Sequence, residues 1–191
     1  PFDRARNVVR QVVGGIAELH RRGKLHRDIK PSNIMVTPAE RAVILDFGIS
    51  SDVSSGHVMS VDFLAGTPAY LAPERLVGGA PEPSHGWYGL GVTLYEALTG
   101  RNPIDASIGT LPYRNDVDPP SPSAIARGVP HDLDTICMGL LRRDPSHRFG
   151  SREVMDLLDR DAIPHVVPPS FEWEKDGAFV GRQHQLDVLD A

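Results

Sequence analysis

The chain contains very little cysteine and no long apolar run. Cys137 is the single cysteine among 191 residues, so a framework of intramolecular disulfides is excluded. Its neighbours Leu133, Ile136 and Leu140 recur at helical spacing, and we therefore expect Cys137 to pack in the core rather than to react. No run approaches the roughly eighteen apolar residues that a membrane span requires, and the first residues lack the pattern of a signal sequence.

Basic residues are in the minority. Twenty Lys and Arg stand against 25 Asp and Glu, which gives a net charge of −5. Such a balance provides no general basic surface for nucleic acid or for anionic lipid. We therefore expect a cytoplasmic protein with no nucleic-acid partner and no membrane partner.

Apolar residues recur at helical spacing along much of the chain. In the first such stretch Val9, Val12 and Ile16 fall on one face, and Gly23 follows as a helix-ending residue. Two short apolar runs around a Thr-Pro-Ala-Glu turn instead predict a β hairpin. Residues 101–130 are rich in Pro, Gly, Asp and Ser, which favours irregular structure with at most one short helix. The sequence thus predicts a mainly α fold with a small β hairpin. The predicted helices are 3–22, 87–99, 132–142 and 151–159, and the predicted strands are 34–36 and 43–45.

The loop from His26 to Asn33 carries a base, a cation and a metal ligand within eight residues. Transfer of a terminal nucleotide phosphate to a hydroxyl requires a group that holds the hydroxyl, positive charge near the phosphate and a fixed magnesium ion. Asp28 can accept the hydroxyl hydrogen, Lys30 can contact the phosphate, and Asn33 can offer an amide oxygen to a hard cation. An ordinary turn carboxylate at Asp28 is the alternative, but the spacing favours phosphoryl transfer.

Further motifs follow this loop in a fixed order. Asp46-Phe47-Gly48 comes directly after the apolar run 42–45, which is typical of a buried strand, so its carboxylate could bind magnesium facing the loop. The stretches 66–74 and 142–148 complete the set. In this order the motifs resemble the eukaryotic-type serine/threonine protein kinase family in its bacterial-like form, and specifically its C-terminal lobe, over residues 1–160.

The resemblance implies an ATP- and Mg²⁺-dependent transferase that phosphorylates serine or threonine hydroxyls of protein substrates. It implies catalytic roles for Asp28 and Lys30, and contact of Lys30, Asn33 and Asp46 with the nucleotide. Asn33 and Asp46 would also be the magnesium ligands. Lys30, two residues after the loop aspartate, is what the serine/threonine branch of the family carries.

The segment between Asp46 and Glu74 corresponds to the activation segment of the family. The resemblance implies that Arg27 meets a phosphate there, and Ser60 is our first choice for the modified residue. A surface arginine without that role is the alternative. Thr67 is implied to hydrogen-bond the loop aspartate and lysine, which is a structural role rather than a modification site.

Three more residues are implied to be structural. His26 would be a packed core histidine, and Glu74 and Arg148 would form a buried ion pair. The chain departs from the family at Gly86, where an aspartate normally accepts hydrogen bonds from the backbone of the catalytic loop. Glycine offers no acceptor, so these amides must find water, His85 or another partner. We therefore expect a less rigid catalytic loop.

The glycine-rich loop, the strand lysine and the helix glutamate of the family belong to an N-terminal lobe, and none of them occurs in this sequence. We expect residues 1–160 to be a C-terminal lobe whose N-terminal lobe is absent and would be its partner. Alone, this chain should bind ATP weakly and turn over little. Residues 161–177 have the composition of a linker. Phe179-Val180-Gly181-Arg182 resembles the opening of signal-transduction ATPase modules, so residues 178–191 are predicted to begin one, with a disordered tail as the alternative.

Two functions remain open from the sequence. The favoured one is the catalytic lobe of a protein serine/threonine kinase within a larger signalling protein, because Asp28, Asn33 and Asp46 are all present. The other is a pseudokinase-like interaction module that regulates a downstream ATPase, which Gly86 and the missing first lobe favour. An unrelated helical binding domain explains none of the motifs.

Overall fold

A computed structural model describes residues 2–45, 51–52, 68–76, 78–103 and 118–160. This part of the chain is mostly helical, with two small antiparallel sheets. One-turn 3-10 helices at Pro31–Asn33 and Pro68–Tyr70 supplement the longer elements. The helices are α1 (Phe2–Arg21), α2 (Pro73–Leu76), α3 (Pro83–Thr99), α4 (Pro122–Ile125), α5 (His131–Leu140) and α6 (Ser151–Arg160), and the strands are β1 (Lys24–Leu25), β2 (Ile34–Val36), β3 (Ala42–Ile44) and β4 (Ser51–Asp52).

Helix α1 supports the rest of the fold along one apolar face. Val9, Val12, Val13 and Ile16 are at most 4% exposed, and full burial of each such side chain contributes about 1.5–3 kcal/mol. This face contacts β1, β3, α3 and α6. The helix ends before Gly23, which adopts φ +68°, so the predicted helix 3–22 is confirmed to within a residue.

The predicted hairpin is formed by β2 and β3, which pair antiparallel with Ile34 opposite Ile44 and Val36 opposite Ala42. Its second strand begins and ends one residue earlier than predicted. A second pairing, of β1 with β4, was not predicted, because two-residue strands carry no periodic signal in the sequence.

Helix α3 runs through the centre of the core and starts four residues earlier than the sequence predicted. Pro83 occupies its first turn, where a missing backbone N–H costs nothing. Gly100, with φ +70°, ends it as predicted. A Cβ on Gly89 would lie only 2.8 Å from the backbone oxygen of Ile29, so glycine at this position allows α3 to approach the loop after β1.

Helices α5 and α6 complete the core against α3 and α1. Both are confirmed within two residues of their predicted ends. Cys137 is fully buried, as predicted, and burial raises the pKa of its thiol well above the ordinary value. The short helix α4 is the single helix that the structure describes between residues 101 and 130, of which 104–117 lie outside the description. Among the described residues no helix is both long and apolar enough to cross a membrane.

Candidate active site

The predicted catalytic loop connects β1 to β2 and is anchored at its middle by Ile29, which is 3% exposed and packs in the core. The polar side chains of the loop flank this apolar anchor. Pro31 then opens the 3-10 turn that brings Asn33 back toward Asp28. The close approach of α3 at Gly89 holds the loop from the other side.

Asp28, Lys30 and Asn33 form one connected group. Lys30 Nζ lies 2.6 Å from Asp28 Oδ2. Asn33 Nδ2 donates to the same oxygen at 2.9 Å and to the backbone oxygen of Asp28 at 2.8 Å. The Asp28 side chain is only 12% exposed. The loop thus holds a carboxylate, an ammonium and an amide in fixed mutual positions.

The amide of Asn33 has a defined orientation. Because both hydrogen bonds to Asp28 use Nδ2, the carbonyl oxygen Oδ1 faces away from that carboxylate. An amide oxygen of this kind is a suitable ligand for Mg²⁺. Asp46, the other predicted ligand, lies outside the described residues. Within the ranges that the structure describes, no three His, Cys, Asp or Glu side chains come together as a metal cluster.

The residue before Asp46 is tied to the loop by two hydrogen bonds. The backbone N–H of Leu45 donates to the oxygen of Asn33 at 2.8 Å, and His26 Nε2 lies 2.8 Å from the oxygen of Leu45. His26 is 3% exposed. The structure therefore places this histidine in the core, where its ring links the start of the loop to the end of β3.

Glu74 and Arg148 meet in a bidentate ion pair, with Arg148 Nη1 and Nη2 at 2.6 and 3.0 Å from the two carboxylate oxygens. The Arg148 side chain is 0% exposed and that of Glu74 is 22% exposed, so the arginine end is buried and the glutamate end is half-buried. Burial by itself raises the pKa of Glu74, but its contacts with His85 and Arg148 outweigh burial and lower that pKa to about 2. We assign most of this effect to Arg148, because His85 Nε2 is more distant, at 3.3 Å.

Arg27 has an unusual backbone and an unusual side chain. Its φ is +64°, in a region that L-residues other than glycine rarely adopt. Its Nε and Nη2 atoms are buried, and they have no hydrogen-bond partner in the part of the chain that the structure describes. Ser60 and Thr67, the other predicted regulatory residues, lie outside that part.

A cavity of about 40 Å³ lies between the catalytic loop, α2 and the first turn of α3. Arg27, Arg75, His85 and Gly86 are among the residues that line it. A Cβ on Gly86 would have its nearest neighbours at 3.8 Å, which is ordinary van der Waals contact. These neighbours are Nε2 of His20 and Cγ2 of Ile16 on α1, so a Cβ fits at this position without a clash.

His85 does not replace the carboxylate that the family has at the position of Gly86. Its Nδ1 accepts a hydrogen bond from the backbone N–H of Glu82 at 2.9 Å, and its Nε2 lies on the side of Glu74. Of the three substitutes expected from the sequence, His85 is thus excluded by geometry.

Arg75 is a further residue at this site that was not predicted from the sequence. This residue directly follows the Ala-Pro-Glu motif, which is the one signal that would have drawn attention to it. Its Nη1 donates to the backbone oxygen of Gly79. Burial lowers the pKa of Arg75, and the nearby charge of Arg27 lowers it further. Two arginines therefore face the same cavity.

Comparison with known proteins agrees with the motifs. The family model described as "Protein kinase domain" matches residues 2–157. The chain is 36% identical over 158 residues to the serine/threonine-protein kinase PknL of Mycobacterium tuberculosis, which covers 82% of this chain and 39% of that protein. It is 32% identical over 154 residues to the serine/threonine-protein kinase PrkC of Bacillus subtilis, covering 80% of this chain and 24% of that protein. A third relative, the serine/threonine-protein kinase PksC of Streptomyces coelicolor, is 34% identical over 176 residues, which cover 89% of this chain and 32% of that protein. The chain thus spans well under half the length of these relatives.

Proposed function

The chain belongs to the protein kinase family, and we propose that residues 1–160 are the C-terminal, catalytic lobe of an ATP- and Mg²⁺-dependent protein serine/threonine kinase. The observation that carries the proposal is the connected group of Asp28, Lys30 and Asn33, with Lys30 Nζ and Asn33 Nδ2 at 2.6 and 2.9 Å from one carboxylate oxygen. A simple turn carboxylate would not need both partners in a loop that the core holds at Ile29.

Each of the three residues has a separate task in this proposal. Asp28 accepts the hydrogen of the serine or threonine hydroxyl and orients its oxygen toward the phosphate. Lys30 shares its ammonium between Asp28 and the phosphate oxygens, where it balances negative charge. Asn33 uses Nδ2 to fix Asp28 and keeps Oδ1 for the metal, so one side chain positions both the base and the cation.

The donor set fits magnesium. Asn33 offers an amide oxygen and Asp46 a carboxylate oxygen, and hard cations prefer oxygen ligands of these kinds. Bound Mg²⁺ neutralises charge on the phosphates and fixes their position. The hydrogen bonds from Leu45 N to Asn33 and from His26 to the oxygen of Leu45 hold the chain next to Asp46.

Phosphate transfer in the full-length protein tests the proposal. Wild-type protein with radiolabelled ATP and Mg²⁺ should label serine or threonine, while Asp28→Asn should lower the rate by a factor of about 10²–10⁴. Asp46→Asn should abolish labelling through loss of a metal ligand. Asp156→Asn makes the same chemical change on the exposed face of α6 and should leave the rate unchanged. Equal labelling by wild type and Asp28→Asn would refute the assignment.

The second candidate is a pseudokinase-like module that regulates an adjoining ATPase. The specific observation in its favour is Gly86, because the strained backbone of Arg27 then lacks the carboxylate that supports it in the family. Absence of labelling in a folded full-length protein that still binds its partners would favour this candidate.

We extend the proposal to the rest of the protein. Residues 161–177 would be a linker and residues 178–191 the start of a signal-transduction ATPase module, on the resemblance of Phe179 to Arg182. The N-terminal kinase lobe and a protein substrate would be partners, and a phosphate on Ser60 would meet Arg27. Thr67 would contact the loop aspartate and lysine. Cytoplasmic location remains a prediction.

A further inference from the structure

His20, near the end of α1, lies beside the position at which the catalytic loop lacks its usual support. A Cβ on Gly86 would lie 3.8 Å from His20 Nε2, and its other near neighbour is the apolar Cγ2 of Ile16. The His20 ring packs edge-to-face with the ring of Trp87, with centroids 5.3 Å apart. Within the described ranges the structure gives neither ring nitrogen of His20 a hydrogen bond. Packing therefore fixes this ring next to Gly86 and leaves its nitrogens available.

The His20 ring can accept a hydrogen bond. Burial lowers the pKa of His20 below its ordinary value of 6.5, so the ring is mainly neutral at pH 7. A neutral imidazole has one N–H that donates and one nitrogen that accepts. His20 thus provides an acceptor, which the aspartate of the family also provides and Gly86 does not.

The catalytic loop and His20 border the same cavity of about 40 Å³. A water molecule needs roughly 10–15 Å³ by this kind of measure, so the cavity accommodates about three. Charged residues of both signs line it, namely Arg27, Asp28, Arg75 and Glu82. Two buried nitrogens of the Arg27 side chain have no hydrogen-bond partner in the part of the chain that the structure describes. A polar cavity of this size, with donors still to be satisfied, meets the conditions for ordered water.

The backbone N–H of Arg27 is a loop donor for which the described residues offer no acceptor. The N–H of the next residue, Asp28, donates to the oxygen of His26 at 2.9 Å, whereas that of Arg27 donates to no group within the described ranges. Backbone N–H groups away from bulk water are nearly always paired, either with protein or with ordered water. Water in the cavity is therefore a suitable partner for this N–H.

We propose that His20 is a positioning residue for the catalytic loop: a water molecule in the cavity accepts from the backbone N–H of Arg27 and donates to His20. The link runs through water because, among the described residues, no hydrogen bond joins His20 to the loop directly. It supports the backbone directly before Asp28, which is the role that the sequence assigns to the missing aspartate. Its effect on catalysis rests on the proposed function, whereas the contact itself does not require turnover.

Amide hydrogen exchange of the full-length protein tests this link, because exchange reports local opening whether or not the protein is active. His20→Phe keeps an aromatic ring against Trp87 and removes both nitrogens. Exchange in the peptides that cover residues 24–30 should become about 3- to 10-fold faster in this variant. His20→Gln retains a side-chain acceptor and should give a smaller increase. Exchange in α5 should stay unchanged in both variants, since no residue of α5 lines the cavity.

The same substitution in a Gly86→Asp background separates positioning from packing. The carboxylate supplies an acceptor on α3, so His20→Phe should change the exchange of the loop less than about twofold in this background. If His20 only packed against Trp87, its replacement would have the same effect with glycine and with aspartate at position 86. An equal increase in both backgrounds, no increase with glycine at position 86, or an equal increase in α5 would therefore overturn the proposal.

Phosphate transfer gives a second readout in the same variants. His20→Phe should lower kcat and leave the KM for ATP unchanged, because His20 is not among the proposed nucleotide ligands. A loss that appears in KM alone would contradict the positioning role. A folded wild type that labels no substrate would refute the proposed function, while the exchange measurements would still decide whether His20 supports the loop.

Discussion

Replacement of Arg148 by alanine should be among the most destabilising single changes in this chain. Its guanidinium is fully buried and donates five hydrogen bonds in the structure. Two go to the carboxylate of Glu74, and the other three go to the backbone oxygens of Arg142, Arg143 and Ser84. The side chain thus joins α2, the start of α3 and the segment between α5 and α6.

The expected cost follows from what the substitution leaves behind. Loss of one partner of a buried ion pair costs about 3–5 kcal/mol, mainly because the remaining charge is buried without compensation. Glu74 retains 22% exposure of its side chain, and water can therefore reduce this part of the cost. The three orphaned carbonyl oxygens and the lost contact of the guanidinium with the Tyr88 ring, 5.0 Å away, act in the opposite direction. We therefore expect a loss of about 3–5 kcal/mol in the free energy of unfolding.

Urea denaturation followed by tryptophan fluorescence measures this loss, since Trp87 is 7% exposed in the core. Arg10→Ala is the matched control, because it breaks an ion pair with Asp159 whose side chains are 35% and 63% exposed. That variant should lose less than about 1 kcal/mol. Similar losses for Arg148→Ala and Arg10→Ala would refute the reasoning that burial determines the cost.

The pH dependence provides a second test of the same ion pair. The pKa of Glu74 is lowered from 4.5 to about 2 in the folded protein, so its contribution to stability is complete above about pH 4.5 and is lost as the pH falls toward 2. Because Arg148→Ala removes the partner, the gap in stability between wild type and variant should narrow over that range. A gap that stays constant from pH 6 to pH 2.5 would contradict the assignment.

Three further predictions follow from buried positions. Gly139→Ala would place a Cβ against the ring of Phe149, closer than van der Waals contact allows. The urea midpoint should therefore fall by the equivalent of about 1–3 kcal/mol, and an unchanged midpoint would show that the ring moves freely. Cys137, whose thiol has a pKa raised by burial, should react with a disulfide reagent only after unfolding, and rapid reaction of the native protein at pH 8 would contradict its packing. Burial and a 2.6 Å hydrogen bond to Glu96 raise the pKa of Tyr70 to about 12. The ionisation of Tyr70, identified as the absorbance change that is lost in Tyr70→Phe, should therefore appear near pH 12. Its appearance near pH 10 would refute the raised pKa.

The parts of the fold that were predictable are those with a periodic sequence signal. Helix α1 follows from the spacing of Val9, Val12 and Ile16, and the hairpin follows from two apolar runs around a turn. The start of α3 was not predictable in the same way, because Pro83 and Gly86 are residues that usually interrupt helices. Here Pro83 sits in the first turn, where it is tolerated, and apolar burial of the following turns outweighs the cost of Gly86.

In the candidate site, the contacts that were predictable are those between residues close together in sequence. Asp28, Lys30 and Asn33 are five residues or fewer apart, so their meeting could be predicted from the loop alone. Arg75 is 48 residues away from Arg27 in sequence, and it reaches the same cavity only because α2 returns to the catalytic loop. The hydrogen bond that His85 Nδ1 accepts from the backbone N–H of Glu82 makes this ring unsuitable as a substitute for the missing carboxylate. No sequence pattern specifies that hydrogen bond.

We expect glycine at position 86 to affect the backbone of Arg27 rather than the whole catalytic loop. Hydrogen bonds among Asp28, Lys30 and Asn33 and the burial of Ile29 hold the part of the loop that the proposed chemistry uses. Arg27 lies at the edge of that network with φ +64°, a conformation that costs about 1–3 kcal/mol and persists only when its surroundings enforce it. In the family an aspartate at the position of Gly86 supports this backbone, and glycine offers no acceptor. Glycine at this position thus leaves the contacts among Asp28, Lys30 and Asn33 in place, and a loss of rigidity should be found at the backbone of Arg27, directly before Asp28.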